Sequence, residues 1–175
     1  PAKNFQGIFL EMIGGPSALM VWFTYEPDGR QAFLTAVGTI DGDRIVFPNL
    51  TKTRGGRFGA AFDPNAVVRE DWGSLVFTFE SCGVGYASYA PSSAASNQGW
   101  PVEQLNAERL TSIAGLGCPG GAPEAAKYLH GGISGAWFDP ARDGEGWLVE
   151  VLGPNVGLIY WFSYTPDGQQ AWFGG

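Results

Sequence analysis

Apolar and polar residues alternate along this chain in short runs, and turn residues such as Gly, Pro and Asp separate the runs. Runs of this kind, rich in Val, Phe, Tyr and Trp, are typical of antiparallel β-strands. The pattern predicts eight strands: Gly7–Ile13, Ala18–Tyr25, Gln31–Gly38, Arg44–Phe47, Gly56–Phe62, Gly73–Phe79, Gly83–Tyr89 and Val102–Ile113. The last run would also pass as a helix. We therefore expect an all-β fold, either an up-and-down eight-strand barrel or a two-layer sandwich.

One predicted strand is apolar on both faces. In the run LMVWFTY, Leu19, Val21 and Phe23 share one face, and Met20 and Trp22 share the other. A strand of this kind is buried on both sides, so either something covers the outer face of the sheet or the strand lies at a seam between units or subunits. A single barrel whose large rings lie over neighbouring strands would explain the pattern without a partner.

The first 36 residues of the chain return as its last 36. Residues 1–36 align without a gap with residues 140–175, at a constant offset of 139 residues, and fourteen of the 36 positions are identical. The turn Pro27-Asp28-Gly29 is repeated as Pro166-Asp167-Gly168, with Pro and Gly placed as a type I turn with a bulge requires. A fixed period is typical of tandem repeat proteins. The chain thus resembles a window of a longer array, or a chain that completes itself in a neighbour.

The repeat predicts three regions. Residues 1–118 form a first β unit that lacks its first strand, residues 119–130 form a Gly- and Pro-rich linker with one short helical turn, and residues 131–175 form a partial second unit of three strands. Within the first unit, the Ser- and Ala-rich segment Pro91–Gly99 is predicted to be a loop.

Three strands cannot close a core by themselves. The aromatic residues of the partial unit would then face water unless they docked on the first unit or on another chain; they are Trp137, Trp147, Trp161 and Trp172. We expect these residues to form an assembly interface. The leading hypothesis is a secreted, non-enzymatic structural protein that associates with itself end to end, by packing or by strand complementation with residues 134–173, in a filament, matrix or surface layer.

Composition narrows the classes of function. Charged residues make up 15% of the chain and aromatic residues 14%, with seven Trp, and the net charge is −7. Ten scattered Lys and Arg residues argue against nucleic-acid binding, which requires clustered cations. No apolar run is long enough to predict a membrane-spanning helix. The start at Pro1, without Met or a signal peptide, predicts a mature, processed or excised segment.

The two cysteines, Cys82 and Cys118, each follow a strand-like run. As a disulfide they would stabilise the fold by about 3 to 4 kcal/mol in the chain-entropy account. A pair of cysteines with few other soft ligands suits an oxidising compartment, so we expect secretion. The alternative, a nucleophilic Cys assisted by His130, lacks a basic surrounding that would lower the thiol pKa.

A different class of function is a barrel that binds a glycan or a small apolar ligand. In this interpretation Trp22, Tyr25 and Phe33 stack on the ligand, and Glu11 and Gln31 supply polar contacts. The same residues are more often part of a core. No cofactor is expected.

Glu11 and its copy Glu150 fall within predicted strands, where an unpaired carboxylate would be costly. We favour a structural role, in which Arg30, Arg44 or a turn backbone donates hydrogen bonds to Glu11, over an acid/base or ligand-binding role.

A loop near the start of the second unit resembles a calcium site. Asp139, Asp143 and Glu150 match the spacing of an EF-hand loop, but Ala141 replaces a ligand, and a strand-like run follows where that motif needs a helix. Calcium is therefore a weak candidate and no metal is predicted.

The sequence resembles a family on the strength of the motifs GEGWLVEVL, YWFSYTPDGQQAWF, IDGDRI, WGSLVFTFESC and RLTSIAGLGC. They are similar to the tandem β-modules of uncharacterised secreted proteins of bacteria, especially proteobacteria. This resemblance covers nearly the whole chain and implies a secreted β-module, with no activity to transfer. Shape similarity to lipocalin or avidin barrels, from the strand number and the segment Gly135–Trp137, is weaker and implies no ligand.

Overall fold

Two antiparallel sheets make up the described part of the chain. The computed structural model describes residues 6–113, 133–142 and 144–175. Sheet A runs in chain order through β1 (Gly7–Gly14), β2 (Ser17–Tyr25), β3 (Gln31–Asp41), β4 (Arg44–Arg54), β5 (Val68–Phe79), β6 (Val84–Pro91) and β7 (Glu103–Glu108). Sheet B has the order β11 (Gln170–Gly174), β10 (Val156–Tyr164), β9 (Gly146–Gly153), β8 (Gly135–Trp137). The predicted all-β antiparallel fold is confirmed, with sheet A curled into a half-barrel.

The connections differ from the predicted ones at two places. The predicted strand Gly56–Phe62 is wrong, because this segment contains a 3₁₀ turn, Gly59–Ala61, and the φ angles of 87° at Gly55 and 74° at Gly59 break an extended backbone. The predicted loop Pro91–Gly99 contains a short helix, α1 (Ser93–Asn97), because the Ser92 side chain accepts a hydrogen bond from the Ala95 N–H and caps its first turn.

The two faces of β2 belong to two different cores, as its double apolar pattern predicts. The concave face of sheet A holds the first core, in which the Trp22 ring packs edge-on against Trp72 with centroids 5.6 Å apart. The second core lies between the sheets; its fully buried members are Val21, Phe23, Phe33, Leu148 and Tyr164. The seam predicted from the sequence is therefore the contact between sheet A and sheet B.

The two copies of the duplicated segment form the same three-stranded meander. We call two residues 139 positions apart mates, β1–β3 the first meander and β9–β11 the second meander. Strand β1 pairs Gly7 with Phe23, and the mates Gly146 and Phe162 pair in the second meander. At the turn, the Gly29 N–H donates to the Glu26 carbonyl at 2.9 Å, and the mate hydrogen bond, from Gly168, is 3.0 Å long. The register of one copy is thus the register of the other.

The meanders differ in what lies beside them. Strands β4–β7, here called the wall, curve over the outer face of the first meander, whereas its inner face meets the inner face of the second. The partial second unit therefore packs on its own chain. The predicted linker 119–130 lies outside the described residues. Within the described ranges, no helix has the length and apolar character that crossing a membrane requires.

The mates Gly7 and Gly146 supply a matched stability test. A Cβ at Gly146 would lie 2.7 Å from the Trp137 carbonyl oxygen on β8 and 2.9 Å from the Phe162 ring, whereas a Cβ at Gly7 has open space around it. We expect Gly146→Ala to lower the free energy of unfolding by about 1 to 3 kcal/mol and Gly7→Ala to change it by less than about 0.5 kcal/mol. Urea unfolding of both variants checks this; equal effects would contradict the close approach of β8.

Candidate assembly interface

The contact between the meanders is reciprocal. The Phe23 ring lies 5.6 Å from the Trp172 ring, and the exchanged pair of mates, Phe33 and Phe162, lies at 5.3 Å. A second exchanged pair is Tyr25 with Trp172 at 5.9 Å and Phe33 with Tyr164 at 6.2 Å. If residue i of one copy contacts residue j of the other, j contacts i in return. This is the defining property of an isologous two-fold interface, here inside one chain.

Two glutamine side chains repeat this reciprocity in hydrogen bonds to backbone. Gln31 donates from Nε2 to the Trp172 carbonyl at 3.2 Å, and its Oε1 accepts from the Trp172 N–H at 3.3 Å. Its mate Gln170 donates from Nε2 to the Phe33 carbonyl at 3.0 Å, and its Oε1 accepts from the Phe33 N–H at 3.2 Å. Phe33 and Trp172 are themselves mates. Each copy thus donates and accepts the same pair of side-chain hydrogen bonds to the backbone of the other.

The carboxamide suits this position because it carries one acceptor and an N–H donor side by side, as a peptide group does. Trp172 lies on β11, an edge strand of sheet B. Phe33 pairs with Phe23 on β2, whereas the register between β3 and β4 begins one residue later, at Leu34. Each glutamine therefore pairs with the backbone N–H and C=O of one residue of the opposite copy, which the sheet of that residue leaves unpaired on that side. Burial of the two faces against each other becomes possible without orphaned backbone groups.

Arg30 and its mate Gln169 contact each other, so the pseudo-two-fold axis passes between them. The Arg30 guanidinium donates to the Gln169 side-chain oxygen, and Gln169 is the mate of Arg30. Arg30 is also held by Asp28 in the turn, at 2.8 Å. The Arg30 backbone N–H, followed by its guanidinium, lowers the pKa of Asp28 below its ordinary value. The repeated Pro-Asp-Gly turns of the two copies thus lie side by side at one end of the contact.

The two strand carboxylates have structural partners. Glu11 accepts a hydrogen bond at 2.9 Å from the Ala136 backbone N–H on β8. Its mate Glu150 accepts one at 2.5 Å from the Thr111 hydroxyl, which follows β7. The donors are neither Arg30 nor Arg44, because those guanidiniums pair with aspartates of their own turns. Each carboxylate connects its meander to a segment of the other unit.

The residues predicted to bind a ligand do not converge on one site. Trp22 is 1% exposed in the first core, on the face of β2 opposite to Tyr25, whose ring lies against Trp172. Gln31 lines a polar cleft of about 440 Å³ between the turns, but the described residues that line this cleft include no aromatic ring. Glu26 and Lys52 form an ion pair inside it. The cleft lacks the platform on which a sugar would stack.

The four tryptophans predicted to form an assembly interface divide between the two faces of sheet B. Strand pairing aligns Trp137 with Trp147 and Trp147 with Trp161. The same row continues to Phe173, which pairs with Trp161. These rings lie on the outer face. Trp172 points the other way and packs against the first meander, so only it takes part in the contact between the copies.

The remaining predicted site residues stay apart or lie outside the described ranges. The Asp139 carboxylate accepts a hydrogen bond from the Ala141 N–H at 2.9 Å, and Asp143 lies outside the described residues. Among the described residues, no three His, Cys, Asp or Glu side chains come together as a metal site would require. Cys82 lies in the exposed turn between β5 and β6, and Cys118 lies outside the described residues, so the disulfide stays a prediction.

Sequence reasoning missed the role of Gln170 and assigned its mate Gln31 to a ligand. The available signal was the identity of both residues in the alignment, where the preceding position changes from Arg30 to Gln169. A glutamine that is kept in both copies at the start of an apolar strand indicates a hydrogen-bonded structural role, because polar groups near a core keep a partner.

Comparison of the chain with protein-family models, with curated proteins and with solved structures finds no match.

The two glutamines predict unequal losses of stability. Gln170 is 8% exposed, and its removal leaves the buried Phe33 peptide without a partner, so we expect Gln170→Ala to lower the free energy of unfolding by about 1 to 3 kcal/mol. Gln31 is partly exposed, so water can replace it at Trp172, and Gln31→Ala should lower it by about 1 kcal/mol or less. Urea denaturation followed by Trp fluorescence measures both; a larger loss for Gln31→Ala would refute this account.

Proposed function

We propose that this protein is a secreted, non-enzymatic structural repeat protein whose 139-residue units associate in pairs through the inner faces of their first meanders. The observation that carries the proposal is the reciprocal bonding of Gln31 and Gln170 to the backbone of the opposite copy. A surface that is complementary to its own copy can bind the same surface of another unit. Filaments, matrices and surface layers are assemblies that such units would build.

The geometry favours packing over strand complementation. Sheet B does not add its strands to sheet A, and the two sheets meet face to face. An isologous contact closes on itself, because each copy uses the same patch and has no second one to offer. Units therefore associate in closed pairs at the inner face. End-to-end growth then needs a different surface to connect one pair to the next.

Secretion is supported by the two cysteines, because a cysteine pair with few other soft ligands suits an oxidising compartment. We expect Cys82 and Cys118 to form a disulfide. In the denatured, unreduced protein a maleimide reagent should label neither cysteine, and after reduction it should label both, as mass spectrometry would show. Labelling before reduction would remove the main argument for an oxidising compartment.

The first unit alone supplies the sharpest test of pairing. Its first core is formed entirely by residues between Ile8 and Ala107, so a chain of residues 1–118 is expected to fold without the second unit. Its inner face, with Phe23 and Phe33, would then lack a cover. Because the missing partner is a copy of the same meander, we expect this shorter chain to form a homodimer, measured by light scattering after size exclusion.

Two variants of the shorter chain make the test specific. Phe33→Lys places a charge in the centre of the inner face and should give a monomer with an intact first core. Val37→Lys is the control on the same strand and face, where the side chain is 58% exposed in the full chain, and should leave the dimer unchanged. A folded monomer of residues 1–118 at concentrations of about 100 μM, a range where a specific interface of micromolar affinity is populated, would exclude pairing through this face.

A further inference from the structure

The outer face of the second meander is apolar and poorly covered. In its aromatic row the Trp147 and Trp161 rings stack with centroids 6.4 Å apart and 19° between their planes. Phe58 covers one side of Trp161 at 5.2 Å. Trp137 is nevertheless 54% exposed and Phe173 is 55% exposed. Soluble domains seldom leave a continuous row of this kind open to water without a partner.

The first meander shows what covers this face. Trp22, the mate of Trp161, contacts the wall residues Trp72 on β5 at 5.6 Å and Tyr89 on β6 at 4.9 Å. Leu34, the mate of Phe173, is fully buried in the same core. Because the two meanders share one register, Trp161 is presented to its surroundings as Trp22 is presented to the wall.

A second, separate observation leads to the same missing element. Thr53 of the wall reaches across the contact, where its hydroxyl oxygen accepts hydrogen bonds from Tyr164 at 2.8 Å and from Gln170 at 3.1 Å. Tyr164 and Gln170 are buried, whereas their mates Tyr25 and Gln31 are only partly buried. Under the pseudo-two-fold relation, a second wall would bring a threonine equivalent to Thr53 to Tyr25 and Gln31.

We infer that the outer face of the second meander is the floor of a second half-barrel, and that its occupant is a set of four strands of the β4–β7 type from another copy of the unit. One occupant accounts both for the open aromatic row on sheet B and for the partly exposed Tyr25 and Gln31 on sheet A. The inference rests on the proposed pairing of the inner faces, because the pseudo-two-fold relation places the second wall.

The test lengthens the full chain by one wall. Gly175 is the mate of Ala36, so a second copy of residues 37–118 is joined directly after Gly175. We expect amide hydrogen exchange in peptides that span Ile159 to Phe173 to slow by at least about tenfold relative to the 175-residue chain. The control is the same extension in which only its copies of Trp72 and Tyr89 are replaced by Ser; it should give no protection.

A substitution on the floor provides an independent measurement. Phe173→Lys should leave the stability of the 175-residue chain nearly unchanged, because the side chain is exposed there. In the lengthened chain the same substitution should abolish the added protection. Unchanged exchange in the lengthened chain, or trypsin removing the added wall while the first unit resists, would overturn the inference.

Binding of a glycan to the 175-residue chain that Phe173→Lys abolishes would also overturn the inference, because the row would then be a ligand platform. Each of these failures is distinguishable from failure of the proposed pairing, since dimer formation by residues 1–118 involves neither sheet B nor an added wall.

Discussion

The structure depends on the exchange of backbone hydrogen bonds through Gln31 and Gln170. Two sheets can bury their faces against each other only if every peptide at the contact keeps a partner, because an unpaired buried N–H or C=O costs about 1 to 3 kcal/mol. Trp172 lies on an edge strand, and Phe33 lies where β3 and β4 are not yet paired. A glutamine from the opposite copy satisfies each of them. The aromatic rings around these bonds can then pack without water.

The two copies make the same contacts where they face each other, and they differ in sequence where their neighbours differ. Thr24 donates from its hydroxyl to the Gln6 side chain at 2.7 Å, and the mates Ser163 and Glu145 make the same hydrogen bond at 2.5 Å. The change from an amide to a carboxylate buries a charge, and Arg142 compensates it by an ion pair with Glu145.

Arg142 also donates to the Gly59 carbonyl at 3.1 Å and lies 5.0 Å from the centre of the Phe62 ring. One substitution in the second copy is therefore coupled to contacts with the segment between β4 and β5 of the first unit. The duplicated meander has been adapted to a neighbour while its register and its turn have stayed the same. The inner faces of the two meanders contact each other, whereas strands β4–β7 cover the outer face of the first meander only.

The sequence by itself determined the strands of both meanders, their turns and their common register, and it indicated that β2 is covered on both sides. These features are local: they follow from side-chain alternation, from Pro-Asp-Gly chemistry and from a duplication that can be read by alignment. The grouping of Trp137, Trp147 and Trp161 was also accessible, whereas Trp172 was assigned to the same surface although it faces the first meander. Only the tertiary structure decided which faces meet, that Gln31 binds backbone rather than a ligand, and that the second copy packs on its own chain. Those contacts join residues more than a hundred positions apart, and nothing in a local pattern distinguishes one apolar face from another until the two sheets are brought together.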